Sequence, residues 1–160
     1  MYSRTLLGLK YLRYYLTASN GKGHGIHSPF IFHFINNVLN DKNYYLEFDL
    51  IEDTRRELLK DQTDLFVEDF GAGSSLSKTN KRTIASIARN AAKHKKYSRL
   101  LFRIVKEYKP NTILELGTSL GISTSYLAAG LPSANVITIE GASEAANIAR
   151  INFKKLQLQN

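Results

Sequence analysis

Pro110 to Gly141 reads PNTILELGTSLGISTSYLAAGLPSANVITIEG, and this stretch decides the fold. Residues 112 to 116 form a short, mostly apolar run after a proline, which is typical of a buried parallel strand. Residues 121 to 129 fit a helix, and residues 135 to 140 predict a second strand. Ser143 is expected to cap a further helix that runs to about Leu156. Strand, helix, strand and helix in this order are the opening of a doubly wound parallel sheet.

The first 109 residues are predicted to be mainly helical, because their apolar residues recur at helical spacing between glycine-rich breaks. The sequence therefore predicts an α/β protein, with a helical N-terminal cap region over 1 to 109 and the first βαβα of a Rossmann-like sheet over 110 to 160. Two parallel strands do not cover both faces and edges of a sheet. We therefore expect a truncated sheet that belongs to a longer protein, or association through the exposed strand edges.

Five helices are predicted in the N-terminal region. One covers residues 2 to 16, one begins at Pro29 behind a Ser28 cap, and the others cover about 46 to 60, 79 to 92 and 97 to 108.

The loop after the first strand and the end of the second strand meet at the carboxyl edge of such a sheet, where ligands bind. Gly117 can turn sharply after the strand, and Gly121 lets backbone amides at the helix start approach a ligand. Glu140 ends the second strand, where a carboxylate can accept both hydrogen bonds of a ribose diol. The glycines are spaced Gly-x-x-x-Gly behind Glu115, unlike the Gly-x-Gly-x-x-Gly of dinucleotide-binding proteins. Since a sulfonium amino acid brings an ammonium that favours a nearby carboxylate, the loop favours S-adenosylmethionine, with another nucleotide as the alternative.

The segments Ile113 to Ala128 and Val136 to Gly141 resemble motifs I and II of class I S-adenosylmethionine-dependent methyltransferases, particularly the O-methyltransferase-like branch. The resemblance implies that Glu115 holds the methionine ammonium, that Ser123 lies near the methionine carboxylate, and that Glu140 binds the ribose hydroxyls. A weaker similarity, in Gly25 to Phe30, is to methyltransferase-like proteins of Bacteroidetes type and implies no substrate. The cofactor-binding residues implied by the resemblance are Glu115, Gly117, Thr118, Ser119, Gly121, Ser123, Glu140 and Gly141.

The activity implied by this resemblance is methyl transfer from S-adenosylmethionine to an oxygen or nitrogen nucleophile on an unknown acceptor. In the O-methyltransferase relatives, metal ligands and the catalytic base come from segments that would lie beyond Asn160. We therefore assign no catalytic residue and no metal ligand, and we expect this portion alone to be inactive. Loss of the Glu140 side chain is expected to weaken cofactor binding and to leave the stability of the unliganded form nearly unchanged.

A basic stripe runs through residues 71 to 110. This segment holds eleven lysine and arginine residues and one acidic residue, Glu107, so that it carries +10 in a chain whose total charge is +8. Such a stripe attracts nucleic acid in some proteins and is the solvated face of helices in others. The alternative to a methyltransferase, from a different functional class, is therefore a nucleic-acid-binding module. No base-reading motif supports this alternative.

A second glycine-rich segment, Asp69 to Ser74, imitates the acidic-then-glycine pattern, and Gly71 to Thr79 imitates a phosphate-binding loop. Phe66 stands in too short an apolar run to predict a strand before either pattern, and Ser77 occupies the place where the phosphate loop requires glycine. We interpret the segment as a connector into the following helix, with a lid over the cofactor site as the alternative.

The composition excludes several kinds of site. The chain has no cysteine, which removes disulfides, thiolate metal sites and cysteine nucleophiles, and it fits a reducing, cytoplasmic location. Lys10 and Arg13 interrupt the N-terminal apolar run before a signal peptide or a membrane span can develop, so no membrane partner is expected. His24, His27 and His33 straddle a loop and a helix start, which disfavours a metal site, and a substrate-orienting role for His27 is the alternative to ordinary packing.

Overall fold

The computed structural model describes residues 3–18, 25, 27–67 and 81–160. This part of the chain is mixed α/β, rich in helix, with two small sheets of two strands each. The chain divides into two compact units, Met1–Lys42 and Asn43–Asn160. The expected boundary between residues 109 and 110 falls inside the second unit, so the helices just before residue 110 belong to the same compact unit as the strands after it.

The N-terminal unit contains α1, Arg4–Thr17, and α2, Pro29–His33, which continues as a π-helical segment, Phe34–Leu39. As predicted, Ser28 caps α2: its hydroxyl accepts a hydrogen bond from the backbone N–H of Ile31. No helix in the described part of the chain, α1 included, is both long and apolar enough to span a bilayer.

The second unit alternates helices with short strands. In chain order its elements are α3 (Leu46–Leu58), β1 (Asp64–Phe66), β2 (Lys81–Thr83), α4 (Ile84–Asn90), α5 (Lys95–Tyr108), β3 (Thr112–Leu116), α6 (Ile122–Gly130), β4 (Asn135–Ile139) and α7 (Ser143–Lys155). The predicted helices over 46 to 60 and 97 to 108 are confirmed as α3 and α5, with ends that differ by two residues.

The prediction of a helix over 79 to 92 is wrong at its start. Lys81–Thr83 forms β2, which pairs antiparallel with β1 and places Arg82 opposite Leu65. The helix α4 begins only at Ile84, because the Thr83 hydroxyl caps it by accepting the backbone N–H of Ser86 at 3.1 Å. The same pairing makes Phe66 part of a strand in spite of its short apolar run, since the partner strand supplies the backbone hydrogen bonds.

Strands β3 and β4 pair in parallel over their whole length, from Thr112 opposite Asn135 to Leu116 opposite Ile139. Because α6 connects them, the segment is a βαβ unit, as the sequence predicted. The second strand ends one residue earlier than predicted, so Glu140 lies directly beyond it. The prediction that Ser143 caps α7 is wrong: Ser143 is the first helical residue, and the cap position belongs to the preceding alanine, which has no side-chain hydrogen bond.

Three aromatic rings form the centre of the core of the second unit. Phe48, Phe102 and Tyr126 are 4%, 1% and 0% exposed, and the Phe48 ring lies 4.9 Å from Phe102 and 5.6 Å from Tyr126 between centroids. Gly130 allows α6 to approach α5 closely, since a Cβ there would lie 2.9 Å from the Phe102 carbonyl oxygen. These contacts pack α3, α5 and α6 together next to the parallel strands.

A polar network crosses this core. The Tyr126 hydroxyl donates to a carboxylate oxygen of Glu52 at 2.7 Å, and Arg55 Nε donates to the same oxygen at 3.2 Å. Arg55 Nη2 also donates to the backbone carbonyl of Lys93 at 2.9 Å. Burial raises the pKa of the Tyr126 phenol above its ordinary value, and the hydrogen bond to Glu52 raises it further. The network therefore joins α3 to α6 and to the connector between α4 and α5.

The two faces of the parallel strand pair differ in exposure. On one face lie four large apolar side chains that are 46 to 77% exposed, namely Leu114, Leu116, Ile137 and Ile139. The alternate positions, such as Val136, are half-buried. Faces of parallel sheets are usually covered by helices, so this apolar face is unusual for a parallel pair.

Candidate functional site

The β3–α6 loop, residues 117 to 121, is attached to the end of β4. The backbone N–H groups of Gly117 and Thr118 both donate to the carbonyl of Ile139, at 2.9 and 3.1 Å. Gly117 has a φ of 96° and Gly121 a φ of 81°, in the left-handed region that favours glycine. The predicted sharp turn at Gly117 is confirmed, and the loop lies at the carboxyl end of both strands.

The Glu140 carboxylate links this loop to the segment that follows β4. One carboxylate oxygen accepts the backbone N–H of Ser119 at 2.6 Å, and the other accepts the backbone N–H of Ala142 at 2.9 Å. Glu140 is half-buried, and Gly141 beside it is exposed. Because its carboxylate makes both contacts without any ligand, we now expect loss of Glu140 to lower the stability of the unliganded form, in place of leaving it nearly unchanged.

Glu115 is half-buried, and threonine hydroxyls hold its carboxylate. Thr138 donates to one carboxylate oxygen at 2.9 Å, and Thr124 donates to the same oxygen. The hydroxyls of Thr138 and Thr118 lie 2.5 Å apart and share a hydrogen bond. Sequence reasoning missed Thr124 and Thr138; the signal for Thr138 was its place two residues before Glu140, near the end of the predicted second strand. The three threonines fix the position of a carboxylate at the base of the loop.

Gly121 is crowded by α7. A Cβ on Gly121 would lie 2.6 Å from the Phe153 ring and 3.1 Å from the Ala149 side chain. Next to it, the Asn152 side-chain amide donates to the carbonyl of Leu120 at 2.8 Å. The close approach that requires a glycine at position 121 is thus an approach to α7, whereas the sequence argument assigned it to a ligand.

Two cavities border the loop. The first has a volume of about 300 Å³ and is lined by Ala91, Ala92, Lys93, Leu101, Glu115, Leu116, Gly117, Thr118, Ser119, Leu120, Ile122 and Ser123. The second has a volume of about 290 Å³ and is lined by Thr118, Thr138, Ile139, Glu140, Ala146, Ala149, Arg150 and Phe153. Thr118 lines both cavities. Of the predicted residues, Glu115, Gly117, Thr118, Ser119 and Ser123 line the first cavity and Thr118 and Glu140 line the second, whereas Gly121 and Gly141 line neither. The α4–α5 connector, which sequence reasoning did not assign to the site, lines the first cavity.

The basic stripe is described from residue 81 onward. Two of its cations contact aromatic rings: Arg99 lies 4.8 Å from the centroid of Phe48, and Lys106 lies 5.2 Å from that of Tyr45. Such contacts stabilise the packing of α5 on α3. Part of the stripe therefore has a structural role, and nucleic-acid binding stays a prediction.

Some of the predicted features lie outside the described residues or apart from the loop. The glycine-rich connector from Asp69 to Ser74, its alternative as a lid, and His24 are outside the described residues. His27 and His33 belong to the N-terminal unit, where a ring nitrogen of His33 lies 3.0 Å from the Asn37 side-chain amide. The substrate-orienting role of His27 stays a prediction.

No protein-family model matches the chain, and no solved structure matches it. The residues that indicate a function are therefore the segments Ile113 to Ala128 and Val136 to Gly141, together with the geometry of the loop and of Glu140.

Proposed function

We propose that the chain is the S-adenosylmethionine-binding portion of a Rossmann-like methyltransferase that acts on an oxygen or nitrogen nucleophile. The observation that carries this proposal is that Glu140 contacts the loop of residues 117 to 121 at the carboxyl end of a parallel strand pair. Ligands of doubly wound sheets bind at this edge. The similarity of the same residues to methyltransferase motifs I and II supports the same ligand.

The donors and acceptors at this edge fit S-adenosylmethionine. Each Glu140 carboxylate oxygen accepts one backbone N–H and can accept a second hydrogen bond, as the binding of a ribose diol requires. The Glu115 carboxylate suits an ammonium, and Ser123 with the first turn of α6 suits a carboxylate. The backbone of Gly117 and the backbone and side chains of Thr118 and Ser119 would line the ligand between its two ends, with Gly141 beside Glu140, whereas Gly121 packs against α7.

Bound S-adenosylmethionine supplies a methyl group on a positively charged sulfur, which is already activated for displacement. The residues of this chain would bind the two ends of the ligand and so fix the orientation of the part between them. Orientation of the reacting atoms accounts for a large share of the rate in such bimolecular reactions. We therefore assign a binding and orienting role to the loop and to Glu140, and no proton transfer.

Calorimetric titration of the chain with S-adenosylhomocysteine and with NAD tests the proposal. We expect saturable binding of S-adenosylhomocysteine and none of NAD, because a pyrophosphate at the loop would meet the Glu115 carboxylate. The Glu140→Ala variant should bind S-adenosylhomocysteine about ten- to a hundredfold more weakly. Glu47→Ala, which removes an exposed carboxylate from α3, is the matched control and should bind like the wild type. Absence of binding at millimolar S-adenosylhomocysteine would overturn the proposal, and binding of NAD instead would indicate a dinucleotide site.

A further inference from the structure

The connector between α4 and α5 contributes a lysine to the lining of the cavity at the β3–α6 loop. Lys93 lines this cavity together with Glu115, Ser119 and Ser123. Among the described residues that line it, Lys93 and Glu115 are the two that carry a charge, and their charges are opposite. A cavity with one cationic and one anionic lining residue complements a zwitterion.

The backbone of Lys93 is held in place by buried side chains. Its carbonyl accepts a hydrogen bond from Arg55 Nη2 at 2.9 Å and another from the Ser98 hydroxyl at 3.2 Å. Arg55 is 9% exposed and Ser98 is fully buried, so both donors belong to the core. The Lys93 side chain is itself exposed. The core thus fixes the base of this side chain at the cavity and leaves its ammonium group accessible.

The other charged side chain is also held in place. Thr124 and Thr138 donate to the Glu115 carboxylate, so its position at the base of the loop is fixed before any ligand binds. The first turn of α6 contributes Ile122 and Ser123 to the same cavity, and Gly121 at its cap position provides no side-chain hydrogen bond. Backbone N–H groups of an uncapped first turn add to the attraction that Lys93 exerts on an anion.

In the proposed function this cavity takes the α-amino-acid end of the ligand, with its ammonium at Glu115 and its carboxylate at Ser123 and the first turn of α6. We infer that Lys93 is a further ligand of that carboxylate. Lys93 is then a specificity residue: it favours a nucleoside that carries a free amino-acid end over the same nucleoside without one. This inference rests on the proposed function, because S-adenosylmethionine and S-adenosylhomocysteine both carry that end. It adds to the site a residue from outside the two motif segments.

Two probes that differ in the amino-acid end test this inference by calorimetry. S-adenosylhomocysteine has the end, whereas methylthioadenosine is a thioether nucleoside that lacks it. The wild-type chain should bind S-adenosylhomocysteine more tightly. Lys93→Met should weaken that binding about three- to tenfold and leave the affinity for methylthioadenosine unchanged, because an accessible ion pair contributes a modest energy. Lys95→Met removes an exposed charge two residues away, outside the cavity lining, and should leave both affinities unchanged.

The outcomes separate the inference from the proposed function. If Lys93→Met binds S-adenosylhomocysteine within twofold of the wild type, Lys93 is not a ligand of the carboxylate, and the proposed function stands. If the wild type binds both probes with equal affinity, the cavity does not take the amino-acid end. If the wild type binds neither probe at millimolar concentration, the proposed function and the inference both fail.

Discussion

Replacing Gly121 by alanine tests whether α7 packs on the loop as the structure shows, and Gly117→Ala is the matched control. Both glycines have a positive φ, so an alanine at either position costs about 1 to 2 kcal/mol of backbone strain. They differ in the space around them. A Cβ on Gly121 would lie 2.6 Å from Cε1 and 2.9 Å from Cζ of Phe153, whereas a Cβ on Gly117 meets nothing within 4 Å.

The crowding at Gly121 adds a second cost. The Phe153 ring must shift by roughly an ångström to restore ordinary contact, and overpacking of this kind costs about 1 to 3 kcal/mol. The free energy of unfolding should therefore fall by about 2 to 5 kcal/mol in Gly121→Ala and by about 1 to 2 kcal/mol in Gly117→Ala. At about 2 to 4 °C per kcal/mol for a chain of this size, the two melting temperatures should differ by about 2 to 12 °C.

Thermal and urea unfolding, followed by circular dichroism, measure this difference. A Phe153→Ala background completes a double-mutant cycle: without the ring, the cost of Gly121→Ala should fall towards that of Gly117→Ala, and the 3.1 Å contact with the Ala149 side chain is the remaining difference. The reasoning is refuted if Gly121→Ala is as stable as Gly117→Ala, or if its cost is the same with and without the Phe153 ring.

Two further predictions concern Glu140 and Tyr126. Glu140→Ala should lower the free energy of unfolding of the unliganded chain by about 1.5 to 3 kcal/mol, because two backbone N–H groups lose a carboxylate acceptor; an unchanged melting temperature without ligand would contradict this. Tyr126→Phe should cost about 1 to 3 kcal/mol at pH 7, because Glu52 loses a buried donor. In the folded state the pKa of the Tyr126 phenol is raised above its ordinary value of 10. The protonated phenol therefore makes its full contribution to the free energy of unfolding below pH 10, and this contribution is lost as the pH rises further. The stability of the wild type should therefore fall more steeply above pH 10 than that of Tyr126→Phe, and parallel curves in urea unfolding would count against the assignment.

The strands and helices after residue 110 could be predicted from the sequence because each has a clear local pattern. The apolar runs at Thr112–Leu116 and Asn135–Ile139 lie between glycine, proline and polar breaks, and both are strands. β1 and β2 could not be predicted, since each has three residues and exists through pairing with a segment about 17 residues away. The apolar pattern over 79 to 92 predicted a helix where β2 lies, because a run of three residues is too short to carry a strand pattern of its own.

The sequence was sufficient to predict which residues belong to the candidate site, but not which groups they contact. The position of Glu140 follows from the end of a strand, whereas its partners are backbone N–H groups, which no residue type reveals. The contribution of Lys93 to the cavity depends on Arg55, which lies 38 residues earlier in the chain and holds the Lys93 carbonyl. The spacing of residues within a motif does not predict contacts with residues so distant in the sequence.

The hydrogen bond between Glu52 and Tyr126 joins residues that are 74 positions apart. During synthesis, α3 leaves the ribosome well before α6 exists, so Glu52 lacks the Tyr126 hydroxyl and the Phe48 ring lacks the Tyr126 ring until residue 126 has emerged. The core of the second unit then closes late, and contacts of high sequence separation make its folding slow relative to that of a local helical hairpin. In the interval, the nascent chain exposes the apolar face of α3, which is the stage at which it is most open to chaperones and to aggregation.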